Sequence, residues 1–194
     1  MIKKIAAACA ALALTAGAHA GVVFSSDYSS LGDMVNPGSF SSTAFAATPG
    51  AGTITFDIQG YNTLDGQNTY EDDFTLTLNG VTTVVKGSWD LGGGGTSGFL
   101  GGSYGGATWT SIGSREIEIT APIWLAASNT LTFSYAAIAA GSQGTDGQGI
   151  GDEGWGIGKV VVTTAVPEAG SLAMMLAGLG IVGGLARRRA ARQA

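Results

Sequence analysis

Along the middle of the chain, apolar and polar residues alternate in short runs. Thr53-Ile54-Thr55-Phe56-Asp57-Ile58 sends Ile54, Phe56 and Ile58 to one side, and Phe74-Thr75-Leu76-Thr77-Leu78 repeats the pattern. Arg115-Glu116-Ile117-Glu118-Ile119-Thr120 places its isoleucines inward and its charges outward, and Leu131-Thr132-Phe133-Ser134-Tyr135 follows suit. A period of two is that of a half-buried β-strand. Asn79-Gly80 separates Phe74–Leu78 from Val81–Lys86. That dipeptide tolerates the positive φ a two-residue hairpin turn needs, so the two runs are expected to pair. Val160-Val161-Val162 reads as a more fully buried closing strand. The one helix-like stretch, Ala136 to Ala140, is short and uncapped. The expected fold class is all-β, an antiparallel β-sandwich of jelly-roll-like arrangement. Leu91 to Ala107 is glycine-rich and expected to be a mobile loop docked locally by Phe99 and Tyr104. Ser25 to Gly52 is expected to hold an edge strand or to lie over the sandwich.

The two ends break this pattern. Lys3 and Lys4 precede an apolar run from Ile5 to Leu14, and Ala18-His19-Ala20 closes it with an A-x-A site. Residues 1–20 therefore read as a secretory signal peptide, leaving 21–164 as the sandwich domain and 165–194 as a tail. In the tail, Val166-Pro167-Glu168-Ala169-Gly170 interrupts strand pairing, because proline lacks the N–H that pairing requires. Ser171 to Ala186 then runs without a charge, followed by Arg187, Arg188, Arg189 and Arg192. Sixteen helical residues span about 24 Å. That is somewhat short of a hydrocarbon core of about 30 Å, a gap that bilayer thinning or snorkelling arginines cover. One C-terminal transmembrane helix over residues 171–186 is expected, with the basic cluster 187–192 as the cytoplasmic stop and the domain outside.

The order of Val166-Pro167-Glu168, a short span rich in Leu, Ala and Gly, and a terminal arginine cluster resembles the PEP-CTERM sorting signal. The family's Pro-Glu-Pro stands here as Pro167-Glu168-Ala169. The resemblance covers about thirty residues from Ala165 onward. It implies recognition by an exosortase, cleavage near Pro167-Glu168, and a Gram-negative producer of exopolysaccharide. It further implies an inner-membrane-anchored precursor whose mature form reaches the cell surface or extracellular matrix. Asp152-Glu153-Gly154-Trp155-Gly156-Ile157-Gly158-Lys159-Val160 resembles the end strand of many exported β-sandwich proteins that carry this tail, which implies the fold rather than a site.

Composition changes the picture in two ways. Cys9 and His19 are the only cysteine and histidine, and both lie in the leader. The mature chain can form no disulfide, offers neither Ser–His nor Cys–His catalysis, and has no nitrogen and sulfur donors of the zinc kind. Between Gly21 and Val166, three basic residues (Lys86, Arg115, Lys159) face thirteen acidic ones, a net excess of ten negative charges. Such a domain repels phosphate backbones, so nucleic acid is not an expected partner. It suits hard cations instead.

The acidic residues fall in two groups, Glu71-Asp72-Asp73 before a strand and Asp146, Asp152 and Glu153 near the last one. Glycine-flanked carboxylates of this kind can hold Ca2+ with backbone carbonyls, or can be solvated loop acids. The same residues would serve a glycoside hydrolase only if two carboxyls faced each other across a sugar, and nothing in the sequence sets that separation. Trp89 and Trp109 flank the glycine-rich segment and are candidate sugar platforms, with packing in the core or at a sheet edge as the alternative. The expected function is that of a non-catalytic surface or matrix protein associated with exopolysaccharide. The alternatives are a carbohydrate-binding module and a surface glycoside hydrolase.

Overall fold

A computed structural model describes residues 20–35, 38–137, 153–165 and 177–184, together with Arg188 and Ala191. Val22–Ala165 forms one compact unit. Its strands are β1 (Val22–Asp27), β2 (Met34–Val35), β3 (Gly38–Ser41), β4 (Phe45–Ala46), β5 (Gly50–Gly60), β6 (Asp72–Leu78), β7 (Thr82–Ser88), β8 (Gly98–Phe99), β9 (Thr108–Gly113), β10 (Glu116–Leu125), β11 (Ser128–Asn129), β12 (Leu131–Ala137) and β13 (Gly154–Thr164).

One sheet runs β1-β13-β5-β10-β9, with β2 added beside β13, and the other runs β3-β12-β6-β7-β8. Every strand pairing is antiparallel. Taken in chain order, β1, β3, β5, β6, β7, β10, β12 and β13 change sheet at each step except the β6–β7 hairpin. This winding of eight strands into two four-stranded halves is the jelly-roll order. The remaining short strands extend the edges or, as with β4 and β11, pair with each other.

The alternating runs do what their period requires. Ile54, Phe56 and Ile58 on β5, Phe74 and Leu76 on β6, Ile119 on β10 and Phe133 on β12 are all fully buried. Phe56 reaches across from the first sheet to stack on Phe74, with centroids 5.6 Å apart, and meets Phe133 edge-on at 5.5 Å. Offset and edge-to-face rings of this kind seal the two sheets face to face. The β6–β7 turn carries Asn79 at φ 57° and Gly80 at φ 69°, both left-handed, as the dipeptide predicts.

Three local expectations change, and one, the edge strand expected from Ser25 onward, is met. Val160 and Val162 are buried but Val161 between them is only half-buried, so the last strand alternates rather than being wrapped on both faces. The stretch from Ser25 supplies edge strands to both sheets, β1 to one and β3 to the other. Ala136 and Ala137 continue β12, because β12 pairs with β6 as far as Ala137↔Asp72. The segment 91–107 is tied in place at several points. Leu91 is buried, Asp65 and Gln67 bridge to Gly94 and Thr96, and Phe99 packs edge-on against Trp89 at 5.6 Å.

In the tail, residues 177–184 are helical, and Leu179, Ile181 and Val182 are exposed. Among the described residues, no helix is long and apolar enough to cross a membrane. Residues 1–19 of the expected leader over 1–20, and residues 171–176 and 185–186 of the expected span, lie outside the described residues.

Candidate functional site

The two acidic groups of the sequence come apart and recombine. Along β6, successive side chains point to opposite faces, which separates Asp72 from Asp73. Asp73 points away from the core interior toward Lys86 on β7, with Nζ 2.5 Å from Oδ2. Glu71 belongs to that side. Burial holds its carboxyl above the ordinary carboxylate value, the Asp73 charge adds to this, and Lys86 opposes it. Asp72 points inward and is fully buried.

At the same end of the sandwich, Glu153 stands immediately before β13 and is 5% exposed. Asp65, in the connection between β5 and β6, completes a trio that the sequence groups leave out. One carboxylate oxygen from each of Asp65, Asp72 and Glu153 lies within 4.8 Å of the others. The connection is built to present Asp65. Its N–H donates to Asp72 Oδ2 at 2.8 Å, and Asn68 Nδ2 donates to Asp65 Oδ1 at 2.8 Å. Gly66 N donates to Gly94 O at 2.7 Å, which brings the glycine-rich segment alongside. A Cβ at Gly93 would stand 2.7 Å from the Asp65 carboxyl carbon, so this approach depends on glycine. Asp146 and Asp152 lie outside the described residues. Only the convergence of chain turns brings Asp65 to this place. A signal for it existed in the sequence, as an acid within a polar, glycine-containing connection seven residues before Asp72.

Two buried aromatic side chains stand close by in the fold, one a pleat from Asp72 and the other two residues after Glu153. Tyr135 on β12 is 1% exposed and Trp155 on β13 is fully buried, with ring centroids 5.3 Å apart. Neither the Tyr135 hydroxyl nor the Trp155 Nε1 has a hydrogen-bond partner among the described residues. Burial drives the Tyr135 phenol strongly up from its ordinary value, and the charges of Asp72 and then Asp73 add to that. Hard oxygen donors gathered in this way suit a hard cation. Asp72 and Glu153 sit within the sandwich rather than on the wall of a groove that a sugar could enter.

Of the two readings open for the tryptophans, packing rather than a sugar platform describes Trp89. Trp89 is fully buried, meeting Phe74 edge-on at 6.1 Å, so it is a core residue and cannot stack on a ligand. Trp109 is 37% exposed and crosses Trp89 at 69°, with centroids 6.4 Å apart, so the two do not form a flat platform. Trp124, on the outward-facing side of β10, is the most exposed of the four, at 73%. It borders an open pocket of about 390 Å³ lined by Thr82, Thr83, Val84, Tyr104 and Pro122 among others.

The sorting residues Val166, Pro167 and Glu168, and Arg187 and Arg189 of the membrane stop, lie outside the described residues, while Arg188 is helical. The family described as PEP-CTERM protein-sorting motif matches residues 165–190. The chain thus carries a sorting tail, the mark of an exported protein. Its tail carries the PEP-CTERM protein-sorting motif, and this motif indicates processing by an exosortase. Curated proteins give no match to the chain.

Two solved structures show limited likeness. One is a family GH115 4-O-methyl-α-glucuronidase with specificity for decorated arabinogalactans, at 8% identity and TM-score 0.38, covering 76% of this chain and 16% of that one. The other is the C-terminal CBM6 of the laminarinase LamC from Zobellia galactanivorans, at 12% identity and TM-score 0.31, covering 74% of this chain and 94% of that one. The chain thus spans about a sixth of the glucuronidase's length. At these TM-scores neither likeness carries an argument.

Proposed function

We propose that the chain is a non-catalytic protein of the cell surface or extracellular matrix, held first in the inner membrane by residues 171–186 and released by exosortase cleavage. The observation that carries this reading is the sequence of the tail: the sorting motif matched at residues 165–190, with its charge-free span ahead of the arginine cluster. Exposed Leu179, Ile181 and Val182 on the helical part of the tail support lipid contact, because apolar side chains turned outward are favoured there over water. The absence of cysteine and histidine after residue 20 removes the commonest nucleophile–base pairs. The buried setting of Asp72 and Glu153 also speaks against a carboxylate pair working on sugar.

Mass spectrometry of the protein from its producing cell tests this. The expected mature form begins at Gly21 and lacks Arg187 to Arg189. A Pro167→Ala, Glu168→Ala variant is expected to keep its arginines and to remain with the membrane fraction. A surface form that still carries the arginine cluster would overturn the reading.

A second reading rests on Trp124. An exposed indole beside a pocket with threonine hydroxyls is a stacking surface for a sugar ring. This supports association with exopolysaccharide as a carbohydrate-binding module.

A further inference from the structure

We propose that Asp65, Asp72 and Glu153 form a calcium site that clamps the start of the last strand to the β5–β6 connection. Three carboxylate oxygens lie within 4.8 Å of one another, and two of the side chains are almost wholly removed from water. Negative charges at that spacing repel one another, and a divalent cation between them reverses the sign of the interaction. The spacing fits the ion. Ligand oxygens sit about 2.3–2.6 Å from calcium, so oxygens on opposite sides of it are separated by up to about 5 Å.

A second observation is independent of the acids. The Tyr135 hydroxyl is buried without a hydrogen-bond partner among the described residues. Tyr135 pairs with Phe74 across the β12–β6 ladder, and Ala137 pairs with Asp72. Tyr135 and Asp72 therefore share the inward face, one pleat apart, a diagonal separation that an aromatic side chain spans. Trp155, two residues after Glu153 and in ring contact with Tyr135, also buries its Nε1 without a partner among the described residues. Buried donors in a native core are nearly always satisfied by protein, water or ligand. Here they suit the outer hydrogen bonds of an ion's ligands or of a water that the ion holds.

The donor chemistry selects the metal. All three side chains offer oxygen alone, which disfavours zinc. Magnesium prefers strict octahedral geometry with several retained waters, and three near-buried carboxylates favour the larger ion. The clamp would also explain how a domain with no cysteine after residue 20 secures its final strand without a covalent staple.

The full chain, in mild detergent and stripped of metal by EDTA, provides the test. At a calcium concentration on the order of 1 mM, the melting midpoint is expected to rise by roughly 5 °C or more. Magnesium at the same concentration is expected to give less than about a third of that rise. Calorimetric titration is expected to report a single ion per chain. Terbium, as a calcium stand-in, is expected to show tryptophan-sensitised emission from Trp155, and calcium in excess is expected to quench it. Asp65→Asn, at the most exposed of the three acids, should abolish the calcium shift while leaving the metal-free melt cooperative. Asp73→Asn, on the Lys86 side of β6, should keep the shift. An absent shift, an equal response to magnesium, or a full shift in Asp65→Asn would each overturn the proposal.

Discussion

Trp124 and Trp89 show how far a residue's role depends on the face it is given. Both are indoles in or next to strands, yet one is 73% exposed and the other fully buried. The exposed ring forms no stabilising contact worth more than a few tenths of a kcal/mol, so Trp124→Ala should leave the melting midpoint nearly unchanged. If the ring is a sugar platform, the same substitution should weaken retention on the cell's own exopolysaccharide by roughly tenfold, about 1.4 kcal/mol. Affinity electrophoresis through gels containing that polymer measures this, and equal mobility of the two proteins would remove Trp124 from any binding role. The sequence names the tryptophans but not their faces. Trp89 follows β7 at a point where the chain leaves the ladder, so the period-two rule no longer assigns it a side. By contrast, Asn79 and Gly80 are legible directly, because positive φ at two successive positions admits few other residue types.

At the scale of strands, the outer face of the first sheet gathers charge across three of them. Asp57 on β5 lies opposite Glu118 on β10, and the bulge in β13 between Ile157 and Val160 brings Lys159 close. Partial burial holds the Asp57 carboxyl above its ordinary value of 3.8, the charges of Glu118 and Glu116 add to this, and the Lys159 N–H and charge offset part of it. A carboxyl raised in the fold favours its protonated form there. Its ionisation therefore costs stability as pH rises through the raised value, and the cost is fully present at pH 7. Asp57→Asn, which keeps an acceptor for the Lys159 N–H, should raise the melting midpoint at pH 7. That gain should vanish as pH falls below 3.8, where the unfolded carboxyl is protonated as well. Melts across this range decide it, and a gain independent of pH would point to a cause other than charge. The strands themselves are legible wherever one face is buried. β9 escapes the pattern because all six of its residues are exposed, so no alternation marks it. The site is half legible for a similar reason. Asp72 and Glu153 stand beside strands that can be read, while Asp65 sits in a connection whose path only the folded sheets define.

For the molecule as a whole, the jelly-roll winding puts the last strand in an interior position, between β1 and β5. A chain ending after Ala165 should melt cooperatively in the absence of the tail, since Val22–Ala165 is one compact unit with its own core. A chain ending before Gly154 should show no cooperative transition, because it loses Val160, Val162 and Trp155 from the core and leaves β1 without its partner. Circular dichroism melts of the two truncations distinguish them, and a cooperative transition in the shorter chain would show that the core closes without β13. The order of sheet and strand is the part of the fold least visible in sequence, because it depends on pairings between residues more than a hundred positions apart, such as Phe24 with Val162.

That interior place for the final strand has a consequence for manufacture. While the polypeptide emerges across the membrane from its first residue onward, the flanks of β1 and β5 remain open to any passing strand until residues 154–164 arrive. A ribosome that stalls early would release a sticky half-product rather than a smaller working protein. Two unpaired strand flanks are the kind of surface on which partly made β-proteins associate, so the exposure lasts until the final eleven residues of the domain are in place.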